Sequence, residues 1–215
     1  MSAAVLNEGK LYVVMQVMSE GFIPGEAKLA IIDTSTDTED PASGITLNVK
    51  NPIDLDLIGN HLYVSGIGRY ASSWSTPPTP AEYTGGIEKI NLTNLTSEII
   101  VDDGDATTHP YGQINGLVLV SETVGYFQGY YGWKNNALFQ FNPTTGTVVS
   151  EAVLGLTGID IPVVELSLED QLWVAVGDDA YPEIKIINPV DNTLITTIYT
   201  DKTPRDIAFS GDLSE

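Results

Sequence analysis

The sequence predicts an all-β protein built from about four copies of one four-stranded antiparallel unit, and three observations carry that expectation. An apolar core with a central aromatic recurs in "GKLYVVMQV", "NHLYVSGIG", "VGYFQGYYG" and "DQLWVAVGD". The aromatic residues Tyr12, Tyr63, Tyr126 and Trp173 stand 51, 63 and 47 residues apart, the length of a four-stranded repeat with insertions. Each copy continues into a second strand that ends in a turn, and no stretch carries a credible helix.

The second strands lie in "AKLAIIDTSTDT", "GIEKINLTNLT", "NALFQFNPTTGT" and "EIKIINPVDNT". Segments such as "IKIIN" and "LFQFN" alternate in the two-residue period of a strand. Asp33, Asn91, Asn142 and Asn188 each lead a turn rich in Pro, Thr, Asn or Gly, a position where an Asx side chain bonds the backbone ahead of it. A third strand follows in "ITLNV", "SEIIV", "TVVSEAVL" and "TLITTIY", and a fourth in "IDLDLIG", "INGLVLVS", "IDIPVVELSL" and "RDIAFSG". One such unit cannot bury both faces of its small twisted sheet, so copies must stack face to face around an axis. The expected architecture is a β-propeller of four-stranded antiparallel blades, either a single domain over residues 1–215 or part of a larger ring. The blades fall at about 9–52, 53–108, 111–158 and 159–200, with a final inner strand at 204–210.

The stretch "LWVAVGDDAYPEIKIINPVDNTLITTIYTDKTPRDIAFSGD" resembles the YVTN-type repeat of bacterial and archaeal surface-layer propellers. That blade runs from a Tyr-Val strand, through an Ile-Asp or Ile-Asn turn strand, to a Pro-x-x-hydrophobic inner strand. The match is good over residues 171–212 and looser over the other copies: the second carries a long insertion, and the third lacks the proline before its inner strand. The resemblance implies a propeller of the surface or periplasmic kind. It implies no activity, because one scaffold hosts many.

Ring closure is contested by the two ends. "RDIAF" and "AAVL" (residues 3–6) both resemble the inner strand of the first blade. The expectation is a partial chain, or a ring completed by self-association with another copy.

Composition narrows the function classes. Hydrophobic residues make up 42% of the chain, enough for a real core. Twenty-nine acidic against nine basic residues give a net charge of -20, which opposes binding to nucleic acid or to an anionic lipid surface. The surplus fits a solubility device or a salty exterior. The chain has no cysteine, hence no disulfide, thiol nucleophile or thiolate metal site. No apolar run approaches a membrane span, and "MSAAVLNEGK" is no signal peptide; a secreted protein would have its leader outside this chain.

Strand direction collects on one rim the loops that follow the aromatic strands. Each of these loops carries an aromatic, namely Phe22, Trp74 and Tyr83, Trp133, and Tyr181. Such a cluster would form a binding surface for a glycan or a protein, unless each ring packs its own loop onto the blade beneath. The inner strands begin near the axis with Asp54, Asn115, Asp160 and Asp206. Converging oxygen ligands of this kind would hold Ca²⁺; the alternative is that each caps its own turn.

Other motifs carry less. "VDDGDATTH" (101–109) lacks the distal glutamate of a Ca²⁺ loop and reads as a solvated turn. His61 and His109 lack the paired spacing of a zinc site. Asn91 and Asn94 open two "NLT" glycosylation sequons. The insertion from Arg69 to Gly86 is stiffened by three prolines. No nucleophile with a base in reach can be assigned.

Two functions follow. The first is a non-enzymatic module at the cell exterior, extracellular, surface-bound or periplasmic, that binds a protein or glycan on its loop-rich rim. The second is a divalent-metal-dependent propeller hydrolase or lactonase, in which a channel-bound Ca²⁺ polarises a carbonyl or activates water, with Glu165 joining Asp54 and Asp160.

Overall fold

The structure is a computed structural model that describes residues 3–39, 44–72, 78–150, 152–178 and 180–210. The chain divides into two compact units, Met1–Leu117 with Thr145–Thr147, and Val118–Thr144 with Val148–Glu215. Apart from one turn of 3₁₀ helix at Val153–Gly155, the regular structure among the described residues is strand.

In the first unit the chain forms β1 (Ala4–Asn7), β2 (Lys10–Met15), the short pair β3 (Met18–Ser19) and β4 (Ile23–Pro24), β5 (Lys28–Asp33), and the two short strands β6 (Thr38–Glu39) and β7 (Ile45–Thr46). Their sheet has the order β1-β2-β5-β6, with β7 also paired to β5. The next sheet is a four-stranded meander of β8 (Pro52–Ile58), β9 (His61–Gly66), β10 (Gly86–Asn91) and β11 (Thr96–Val101), every pair antiparallel. Alternation decides which side chains enter the core. In β2, Tyr12 and Val14 point inward and join Leu29, Ile31, Leu55, Leu62, Val64 and Ile90 in one apolar cluster.

β12 (Gln113–Ser121) passes from the first unit into the second, where it heads a sheet with β13 (Val124–Gly132), β14 (Asn135–Phe141) and β15 (Val148–Ser150); β16 (Thr157–Ile159) also pairs with β14. The last sheet runs β17 (Val164–Leu166), β18 (Leu172–Val176), β19 (Glu183–Asn188) and β20 (Thr193–Tyr199) in sequence order. The second unit has its own core of Tyr126, Leu138, Val153, Ile161, Leu172, Val174 and Ile187.

The repeated aromatics occupy the second strand of each sheet, and Tyr12, Tyr63 and Tyr126 are buried. Tyr126 is completely enclosed, and its hydroxyl donates to Asn192 Oδ1 at 2.7 Å while accepting from Gln140 Nε2 at 3.1 Å. A buried phenol needs such partners. The turn residues also behave as their type dictates. Asp33, Asn91, Asn142 and Asn188 each accept the backbone N–H two residues ahead, at 2.8, 2.8, 2.9 and 3.0 Å.

Three elements depart from expectation. Residues 204–210 form no strand; β1 holds the place beside β2, while Phe209 packs edge-on against Trp173 and Arg205 reaches Asp160. "ITLNV" contributes only Ile45–Thr46 to the ladder, after which Leu47 donates to Ala27 O. "IDIPVVELSL" is broken: Ile159 pairs back to Asn136 in β14, Asp160 bridges to Gly177, and pairing with β18 resumes at Val164. Pro162 has no N–H to donate to either ladder, so a break falls there.

Candidate functional site

In the second unit, the aromatic loops are built from hairpin geometry. The β13–β14 ladder slips between Tyr130 and Gly132, which inserts one extra residue and leaves Tyr131 partly exposed. The tight turn that follows places Lys134 in the left-handed region at φ 55° and leaves Trp133 78% exposed. In the loop from β18 to β19, Asp178 Oδ1 accepts the N–H groups of Ala180 at 2.7 Å and Tyr181 at 2.9 Å. Those two bonds, with the nearby Lys134 ammonium, hold the Asp178 carboxyl below its ordinary range. The clamp fixes the backbone of Tyr181, whose ring is 75% exposed. Lys134, the residue after Trp133, and Asp178, the clamp of Tyr181, thus bring the two loops within electrostatic reach of each other.

In the first unit, Phe22 is 80% exposed at the tip of the β3–β4 hairpin, with Val17, Met18 and Ile23 partly exposed around it. Phe22 takes φ 59° and donates its N–H to Ser19 O at 3.2 Å. Tyr83 does not point outward. Its ring stacks on His109 with centroids 4.3 Å apart and planes 14° apart, and His109 Nδ1 lies 3.0 Å from Asp105 O. Trp74 lies outside the described residues.

Of the four oxygen ligands expected near an axis, Asp54 and Asp160 are engaged by neighbouring groups. Asp54 is half-buried in β8, with Oδ1 accepting the Leu55 N–H at 2.9 Å and Oδ2 the Leu117 N–H at 3.1 Å. Burial outweighs both bonds and pushes its carboxyl up to about 6. Asn115 is half-buried in β12. Asp160 Oδ2 lies 3.7 Å from Arg205 Nη1, and Asp206 is exposed beside that arginine. Glu165 stands opposite Trp173 in the β17–β18 ladder. Among the described residues, no three His, Asp or Glu side chains gather as a metal cluster.

Three features were missed in the sequence. Asp103 belongs to "VDDGDATTH", read as a solvated turn; Asp102 and Asp105 are exposed and cap their own turns, but Asp103 is fully enclosed. Nothing in the local pattern separates it from its neighbours. Glu88 is also fully enclosed, and accepts Asn48 N at 2.8 Å, Asn48 Nδ2 at 2.7 Å and Val49 N at 3.1 Å. Its signal was present, since Glu88 lies two residues from buried Ile90 and shares its face of β10. The third is a polar groove of about 270 Å³ lined by His61, Lys89, Asn91, Thr96, Ser97 and Glu98. Asn94, opening the second sequon, is exposed, and its Oδ1 accepts the Thr96 hydroxyl at 2.8 Å.

No family model matches the sequence, and no curated protein resembles it. Solved structures do resemble its fold. Hydrazine synthase of Kuenenia stuttgartiensis aligns with a TM-score of 0.58 at 10% identity, over 93% of this chain and 48% of that one. The β-propeller domain of the trilobed protease from Pyrococcus furiosus, described as having an open velcro topology, aligns at 0.54 and 10% identity, over 94% and 58%. A chain of the nidogen/laminin complex aligns at 0.50 and 12% identity, over 93% and 79%. The chain therefore has the fold of β-propeller proteins, with several antiparallel sheets of four or five strands. It spans about half the length of the first two of these structures.

Proposed function

We propose that this propeller is a binding module of the cell exterior that takes a protein or glycan on its aromatic loops, and that its repeats are of the YVTN type. The observation that supports it is the exposure of Trp133 and Tyr181, each at least three-quarters exposed on a loop whose backbone is held by its own turn geometry. A monomeric surface rarely spends such large rings on water unless a partner covers them, and Trp and Tyr supply contact area at low conformational cost. Lys134 and Asp178 add one charge of each sign to these two loops.

The test is a glycan array together with pull-down from an extracellular protein fraction, using the parent and a Trp133→Ala/Tyr181→Ala variant. Binding that disappears in the variant supports the reading. Binding retained in full by the double variant removes these loops as the site.

A further inference from the structure

We propose that the groove on the β9–β10–β11 face is a second binding site, for a small polyhydroxylated carboxylate of the size and chemistry of a monosaccharide uronic acid. It goes beyond the aromatic-loop reading, because its residues lie on a different sheet and in the other compact unit.

Strand register assembles most of it. His61 is the ladder partner of Asn91, Asn91 of Thr96, and Lys89 of Glu98, so these five side chains share one face of the sheet. Ser97 borders the groove between Thr96 and Glu98, but as the ladder partner of Ile90 it turns its side chain to the other face, where its hydroxyl accepts Asn48 Nδ2 at 3.2 Å. None of the six side chains is apolar. At about 270 Å³ the groove sits at the lower edge of the ~300–1,000 Å³ typical of small-molecule sites, which suits one sugar ring and not a chain of them.

The groups that line it keep part of their bonding capacity. Lys89 and Glu98 face each other across the ladder, yet among the described residues neither forms an ion pair; the Lys89 ammonium lies 5.8 Å from the centre of the Tyr63 ring. Asn91 uses its Oδ1 on the Thr93 N–H, which leaves its amide N–H groups for the groove. Thr96 gives its hydroxyl proton to Asn94 Oδ1 and keeps lone pairs. In a chain of net charge -20, the groove holds one lysine against one glutamate, with a histidine beside them, so its own formal charge is balanced and it carries no acidic surplus against an anion. Lys89 and His61 fit a carboxylate, while Glu98, Asn91 and the Thr96 hydroxyl fit a row of sugar hydroxyls. An apolar ligand has no surface to meet here. A bare divalent cation has one carboxylate, too few for hard-cation coordination.

The experiment titrates the full chain with D-galacturonate, D-galactose and inorganic phosphate separately, followed by amide NMR shifts, for the parent, Lys89→Met and Glu98→Gln. The expected result is saturable binding of galacturonate, with shifts centred on residues 61, 89–98, and affinity for galactose and phosphate each lower by about tenfold, the worth of one charge-assisted contact. Lys89→Met keeps the aliphatic stem and should weaken galacturonate about tenfold; Glu98→Gln should weaken it by about threefold or more. Trp133→Ala should leave this titration unchanged, so failure of the groove and failure of the aromatic loops are read separately. Phosphate affinity equal to or above that of galacturonate would overturn the sugar assignment. Absence of binding at about 10 mM, or galacturonate affinity unaltered by Lys89→Met, would overturn the site.

Discussion

Asp103 Oδ2 accepts the backbone N–H of Gly85 at 3.2 Å, while its Oδ1, equally enclosed, has no hydrogen-bond partner. A carboxylate with half of its acceptor capacity unmet in the interior is costly in its charged form. Burial pushes the group up to about 7, against the backbone N–H groups of Gly85 and of Asp103 itself, which favour ionisation; Asp102 adds to the rise, and the nearby His109 opposes it. Tyr83, the base of whose loop continues into Gly85, is raised in turn by burial and by the Asp103 charge.

The sign of the resulting pH dependence follows from linkage. In the folded chain Asp103 keeps its proton up to about 7, whereas the unfolded chain releases it near the ordinary 3.8. Between those values the folded state binds more protons, so stability falls as pH rises. Asp103→Asn removes this contribution. The variant should match the parent near pH 4 and exceed it at pH 8 by an amount on the order of 2 kcal/mol, measured by urea denaturation across that range. A parent and variant with parallel pH profiles would refute the assignment.

Glu88 makes the opposite kind of burial, with its carboxylate oxygens committed to Asn48 and Val49. Glu88→Ala strands the N–H groups of Asn48 and Val49 and should destabilise by about 2–4 kcal/mol; Glu88→Gln, which keeps one acceptor, should cost less. Chemical denaturation of the two variants side by side checks the order.

The Tyr126 hydroxyl ties Gln140 in β14 to Asn192 in the turn before β20. Tyr126→Phe should cost about 1–2 kcal/mol, because it leaves polar groups of both partners unpaired in the interior. A Tyr126→Phe/Gln140→Leu double variant should lose less than the sum of the two single losses, which a double-mutant cycle would read directly.

Trp133→Ala and Tyr181→Ala should leave thermal stability within about 0.5 kcal/mol of the parent, since both rings stand in solvent and fill no core space. Loss of melting temperature in either variant would show that the ring packs its own loop instead of waiting for a ligand.

Much of the fold was legible because the relevant forces act over a few residues. Alternation placed Tyr12 and Val14 on the inner face of β2, and the Asx turns at Asp33, Asn91, Asn142 and Asn188 follow from a side chain that reaches two residues ahead. The same alternation held the clue to Glu88, overlooked because a charge inside a strand reads as an outward residue.

What the chain alone determined was therefore the recurrence of strand and turn, and the presence of an aromatic in the loop after each aromatic strand. Tertiary structure decided which of those aromatics are free: Trp133 and Tyr181 stand in solvent, whereas Tyr83 is claimed by His109, twenty-six residues onward. It also decided that Asp103 is enclosed between exposed acidic neighbours, and that Lys89 and Glu98 line one groove. Hydrogen bonding within a turn is a short-range property of neighbouring residues, but exposure and electrostatic environment are set by whichever distant segments the ladder brings alongside, and local composition carries no record of them.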